Sequence, residues 1–215
     1  MIDPGGFTVE TLDGSDVAAM ADLHARVFPD SVLTRLGLEA LSRYYRWQVE
    51  GPHQVDAFGV VLSGRLLGLV VGGRFRGSMI GFIKQDALFL ATCVVRNPGL
   101  LVEERGRRAV RSGLRLLVRP WARTRVERPE RVPDRSFGLL LVAVDPEAQR
   151  SGLGRALLEE AEHRAALAGL ERLHLTLDPT NWGAMAFYTG LGWQRLGVPG
   201  DTDRQWLMQK ELDPT

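Results

Sequence analysis

The chain has 215 residues, 45% of them hydrophobic and 25% charged, with a formal net charge of +1. These figures exclude intrinsic disorder, disfavour polyanion binding by charge alone, and fit one domain, with or without an insertion, better than two. The single cysteine, Cys93, excludes an internal disulfide and a multi-cysteine zinc site, and a core built from about 70% of the unfolded surface needs no such staple. In chain order, Phe7 to Leu12 alternates as a short strand, and Ser15 or Asp16 can cap a helix running to Val27. Phe28-Pro29-Asp30-Ser31 breaks it, and Leu38, Leu41, Tyr44 and Tyr45 mark a helix over about 34–49. Ala57–Leu62 and Leu66–Gly72 flank Ser63-Gly64 and predict a hairpin.

The pattern then changes. Met79 to Val95 predicts one helix that stops before Asn97-Pro98, and Leu100 to about Val118 predicts another with arginines on its polar face. Pro120, Pro129 and Pro133 mark a linker, so residues 75–135 form a helical insertion in a single domain spanning 1–215. Leu101 to Arg131 holds ten arginines against Glu103, Glu104, Glu127 and Glu130. These arginines are either a solvated helix face or charges that neutralise phosphates on a substrate. Nucleic acid is disfavoured because Trp121 is the lone aromatic among them. Met79–Val95 carries Lys84 and Asp86 and falls short of the about 20 residues of a membrane span. Residues 1–6 show neither a basic start nor an apolar run, so no signal peptide is expected and the cytoplasm is the default location.

The last third is the most regular. Phe137–Val144 is a continuous apolar strand, Gly152–Leu167 a long helix, and Leu173–Leu177 a second strand. Strand, helix and strand in this order imply a parallel pair with a crossover. Asn181–Leu191 predicts a short helix closed by Gly192, and Trp193–Leu196 and Gln205–Leu212 two last strands. Between the first strand and the long helix lies Asp145-Pro146-Glu147-Ala148-Gln149-Arg150-Ser151-Gly152-Leu153-Gly154-Arg155. The free N–H groups of a helix start, the helix dipole and two glycines suit a phosphate or pyrophosphate. A P-loop is excluded because Gly-Lys-Ser/Thr is missing, and a dinucleotide fingerprint because Leu157 stands where a third small residue is required.

Gln149-x-x-Gly152-x-Gly154 after an apolar strand resembles the acyl-coenzyme A binding motif of the GNAT acyltransferase superfamily. Asn181-Trp182-Gly183-Ala184-Met185-Ala186-Phe187-Tyr188, followed by Gly190, Gly192 and Trp193, resembles its second signature. The resemblance covers residues 137–196 in order and spacing; the insertion departs from it. It implies an α/β GNAT fold: a mixed central sheet of about seven strands with a splayed parallel pair, flanking helices and a helical insertion. It implies acetyl-coenzyme A as acyl donor, no metal, and direct transfer to an amine in a ternary complex.

The same likeness assigns residues. Backbone groups of Val142, Ala143 and Val144 would hold the pantetheine arm, and N–H groups of Gln149, Arg150, Ser151, Gly152, Leu153, Gly154 and Arg155 the pyrophosphate. Asn181 would cap its helix and touch the cofactor arm. Tyr188 matches the tyrosine that protonates the departing thiolate in many members; a buried core tyrosine is the alternative reading. Many relatives carry a glutamate on the strand before the loop, and Phe137–Val144 has none. Asp134, Asp145, Asp178, His174 and Glu39 stay open as bases. Phe28–Ser31 with Leu33-Thr34-Arg35-Leu36-Gly37 resembles acyltransferases of polysaccharide and amino-sugar clusters. That implies a small amine acceptor such as an amino sugar. A protein or peptide amine, or a non-catalytic acyl-coenzyme A sensor, remains an alternative, and a homodimer is left open.

Overall fold

A computed structural model describes residues 8–74, 78–102, 104, 106–108, 110, 111, 113, 135–197 and 205–212. Seven strands form one sheet: β1 (Val9–Thr11), β2 (Gln54–Leu62), β3 (Arg65–Arg74), β4 (Ser136–Val144), β5 (Arg172–Leu177), β6 (Gln194–Leu196) and β7 (Trp206–Glu211). Their spatial order is β1-β2-β3-β4-β5-β7-β6. Among these neighbours the pair β4–β5 is parallel and the others are antiparallel. Ser63 and Gly64, both at positive φ, make the two-residue turn that joins β2 to β3.

Helices cover both faces. On one side lie α1 (Val17–Val27), α2 (Val32–Arg35), α3 (Leu38–Glu50) and α4 (Ser78–Gln85), with α5 (Ala87–Arg96) and α6 (Gly99–Val102) following in the chain. On the other lie α7 (Leu153–Leu167) and α8 (Trp182–Gly190). Strand alternation sends successive side chains to opposite cores. Val70 joins Leu153, Leu157, Ala161 and Leu173 in one. Leu69 and Val71 join Met20, Leu41, Tyr45 and Phe82 in the other.

The expected elements are present with shifted ends. The helix expected over 34–49 is α2 and α3, parted at Leu36 and Gly37. The helix expected over Met79–Val95 is α4 and α5, bent by 76°. Asp86 sits at the bend, where Arg43 of α3 holds its carboxylate at 2.9 Å. The start of α1 also differs: Asp16 makes no side-chain cap to the helix. Its Oδ2 accepts the Asp13 N–H instead, while Asp13 Oδ1 accepts from Ser15. Of the helix expected over Leu100 to Val118, residues 104, 106–108, 110, 111 and 113 are helical, while 103, 105, 109, 112 and 114–118 lie outside the described residues, as do Phe7 and the proline-marked linker with Trp121 and Asp134.

The segment after β3 enters the core. Phe82 is buried against Tyr44, ring centroids 5.4 Å apart, and Leu100 is buried as well. Trp47 donates its indole N–H to the Ser78 carbonyl at 2.7 Å.

Candidate functional site

β4 is held by β3 along its length but by β5 only at its start. The parallel pairing covers Ser136–Gly138 against Arg172–His174. From Leu139 onward the two strands part, and a bulge at Leu140 shifts the register with β3. A bulge bends and twists its strand, which drives the two ends apart. Asp145 donates its N–H to the Leu67 carbonyl of β3 at 2.8 Å. Strand alternation therefore turns the N–H groups of Val144 and Val142 into the opening and that of Ala143 toward β3. Val142 and Val144 are thus the two strand residues whose N–H groups point into the opening; Ala143 buries its side chain in the α1–α3 core.

The loop after β4 is pinned at its root. The Asp145 carboxylate is almost wholly buried and accepts from Arg26 Nε at 3.0 Å and Arg65 at 2.9 Å. It also accepts the Glu147 N–H at 3.0 Å and so caps the 3-10 turn Pro146–Ala148. Burial would raise its pKa, but the Glu147 N–H and the two arginines outweigh that and hold it below the usual carboxylate range. A carboxylate with three donors is a fixed anchor, not a proton acceptor.

Beyond the anchor, Arg150 and Gly152 both take positive φ, 62° and 89°. Ser151 ties back to the Ala148 carbonyl at 2.7 Å, and Gln149 Nε2 lies 3.3 Å from the Val144 carbonyl. The first hydrogen bond of α7 runs from Ala156 to Gly152. The seven N–H groups from Gln149 to Arg155 have no partner among the described residues. Gly152 is the N-cap, brings no capping side chain, and has open space where a Cβ would stand. Unpaired N–H groups on a 15-residue helix with its positive dipole end open fit a pyrophosphate. Arg150 and Arg155 are exposed beside it.

Gly154 meets the second signature. A Cβ on it would lie 3.2 Å from the Phe187 ring and 3.7 Å from the Val144 side chain. The bare Cα thus lets α7, α8 and the end of β4 converge. Asn181 caps α8 through its Oδ1, which accepts the Ala184 N–H at 3.1 Å. Tyr188 is buried on α8, edge-on to Phe187 and Trp193 at 5.3 Å and 5.4 Å. Its hydroxyl has no hydrogen-bond partner among the described residues, and burial pushes its pKa up to about 12. Of the groups left open as bases, Asp134 lies outside the described residues, and Asp145 alone among the others is part of the loop. His174 is tied to Ser136 at 2.6 Å at the closed end of the strand pair, Glu39 to Arg43 at 2.8 Å, and Asp178 to Thr180.

Sequence reasoning missed the Arg26–Asp145–Arg65 cluster and a polar network on α1. Buried His24 lies 2.7 Å from the Tyr45 hydroxyl and 3.1 Å from Ser31 Oγ. Ser31 caps α2, accepting the Thr34 N–H, and the Thr34 hydroxyl donates to the Phe28 carbonyl at 2.7 Å. Ser31 and Thr34 of the Phe28–Gly37 motif thereby close on each other and on the Phe28 carbonyl. The Ser31 and Thr34 spacing signalled the cap, but no local pattern signalled His24. Among the described residues no three His, Cys, Asp or Glu side chains gather as a metal site, and no single helix is long and apolar enough to cross a membrane.

Residues 113–193 match the Acetyltransferase (GNAT) family. The match covers less than half of the chain, and the fold is shared with solved acetyltransferases. The chain is similar to a mycothiol acetyltransferase of Kocuria rhizophila, 48% identical over 57 residues, 26% of this chain and 19% of that protein. It is also similar to the ribosomal protein bS18-alanine N-acetyltransferase of Escherichia coli, 44% identical over 60 residues, 28% of this chain and 40% of that one. It therefore spans less than half the length of these curated relatives. Solved structures with the same fold include the Escherichia coli ribosomal-protein-S18-alanine N-acetyltransferase, TM-score 0.55 at 18% identity over 98% of this chain and 96% of that one. Another is the PaiA N-acetyltransferase of Thermoplasma acidophilum in complex with coenzyme A, TM-score 0.57 at 12% identity over 96% and 99%.

Proposed function

We propose that the chain is an acetyl-coenzyme A-dependent N-acetyltransferase that acts on the primary amine of a small molecule such as an amino sugar. The observation that carries the donor is the run of seven unpartnered N–H groups, Gln149 to Arg155, beside the strand opening. These groups would hold the pyrophosphate. The N–H groups of Val142 and Val144 would hold the pantetheine arm, and the exposed amide of Asn181 would add a contact. When bound, acetyl-coenzyme A supplies the acyl group as a thioester for direct transfer to the amine. The N–H of Val144 is then the chain's own donor to an acyl carbonyl oxygen.

Tyr188 would serve the leaving sulfur. A phenol with its pKa near 12 keeps its proton at neutral pH. An ordinary thiol has a pKa near 8.5, so full transfer to a thiolate runs uphill. Tyr188 therefore acts first as a hydrogen-bond donor to sulfur, and transfers its proton only as it gains charge-stabilising neighbours.

The likeness to bS18-alanine N-acetyltransferases supports a second reading, in which the acceptor is a peptide amine. The test is free thiol release from acetyl-coenzyme A across amino sugars, nucleotide-linked amino sugars, polyamines, amino acids and short peptides. Release with an amino sugar supports the first reading, and release confined to peptides replaces it with the second. Coenzyme A binding with no release from any amine would make the chain an acyl-coenzyme A sensor.

A further inference from the structure

We propose that the outer face of α5 docks on an anionic lipid bilayer. This surface is separate from the strand opening and does not depend on the acyl-transfer reading. From Ala87 to Val95 the helix is apolar apart from Thr92 and Cys93. A helix apolar on every face is expected to be covered on every face. Here Cys93 alone is buried. Leu88 is 87% exposed and Val95 79%, seven residues apart, with exposed Ala91 and Thr92 between them on the same helical stripe. Val102 is 75% exposed in the next helix.

The other side of this unit is fastened to the protein. Phe82 of α4 is buried on Tyr44, and Arg43 binds Asp86 at the bend and lies over the Phe89 ring at 4.1 Å. Taken together α4 and α5 are apolar and long enough for a span, which is not the expectation for Met79–Val95 alone, but a 76° bend parts them, Phe82 of α4 is in the core, and Leu88 and Val95 of α5 are exposed. That is the shape of an interfacial helix, whose apolar stripe enters the acyl boundary while charges meet headgroups.

Charge selects the occupant. Arg96 closes α5, and Arg107 and Arg111 are exposed beyond it. A second copy in a twofold interface would bring like arginines toward like arginines. Single-stranded nucleic acid would use aromatic stacking, which Leu88, Val95 and Val102 cannot give. A bilayer of anionic lipid offers phosphates and hydrocarbon at adjoining depths, which matches both halves of the surface.

The test is cosedimentation of the full chain with vesicles of equal parts phosphatidylglycerol and phosphatidylcholine, against vesicles of phosphatidylcholine alone. The anionic vesicles should carry the protein down, and added salt should release it. Leu88→Ser with Val95→Ser should weaken partitioning roughly tenfold or more, with the thermal midpoint unchanged because both side chains are exposed. Absence of pelleting with the anionic vesicles overturns the proposal, as does equal pelleting of the double variant. A solution dimer that the double variant dissolves, with no vesicle binding, assigns the face to a second copy and also overturns it.

Discussion

At the residue scale, the candidate site separates polar groups that are tied down from one that is proposed to react. Asp145 and Asn181 are held by what they cap and pair with, and Tyr188 keeps an unengaged hydroxyl inside an apolar wall. That contrast gives a test. Tyr188→Phe removes an oxygen with no partner among the described residues, so stability should change by no more than about 0.5 kcal/mol. Turnover should fall roughly a hundredfold while coenzyme A affinity stays within about twofold. Steady-state rates and calorimetric titration measure the two separately; an unchanged rate would remove Tyr188 from the reaction. The tyrosine was legible in the sequence through the Asn181–Trp193 signature. Its raised pKa was not, because burial by Trp193 and Phe187 depends on how α8 lands on the sheet.

At the element scale, one loop and one helix start make up the proposed donor site. The loop is stiff because Asp145 ties it to α1 through Arg26 and to β3 through Arg65. Gly152→Glu should weaken coenzyme A binding by about a hundredfold or more. Its carboxylate would be an internal anion on the N–H groups that otherwise bind the ligand. The left-handed φ adds a cost of about 1 kcal/mol for any side chain. Gly152→Asn, which tolerates that φ, separates strain from charge and should retain most affinity. Calorimetric titration with coenzyme A checks both, and full affinity in Gly152→Glu would move the pyrophosphate elsewhere. Strand, loop, helix and glycines were all readable from local pattern. The breaks at Gly37 and Asp86 were blurred, since apolar periodicity runs on through a bend that a distant arginine holds.

At the scale of the whole molecule, two histidines tie stability to pH. Burial lowers His24 and His174 to a pKa of about 4, while the unfolded chain titrates near 6.5. Between those values the unfolded state binds more protons, so stability rises with pH and is lost as pH falls from about 6.5 toward 4. The loss should be on the order of 2 kcal/mol per histidine across that window. Asp145, held below its ordinary value, adds a contribution that is present above pH 4 and lost further into acid. Urea unfolding at stepped pH measures the slope, and His24→Gln should reduce it; an identical slope would mean that His24 titrates freely when folded.

The sequence by itself determined the order of strands and helices, the glycine-bearing helix start after β4, and the cap at Asn181. Each of these is written within a dozen residues, in apolar period, turn chemistry and capping spacing. The tertiary structure alone decided that β4 and β5 part after Gly138, because strand pairing depends on what the crossover and the bulge at Leu140 allow. It also decided the fates of the acidic residues. Asp145 is locked by Arg26 and Arg65, 119 and 80 residues away along the chain. It left α5 with an open apolar stripe. Burial and pairing are sums over distant neighbours, and no local pattern contains them.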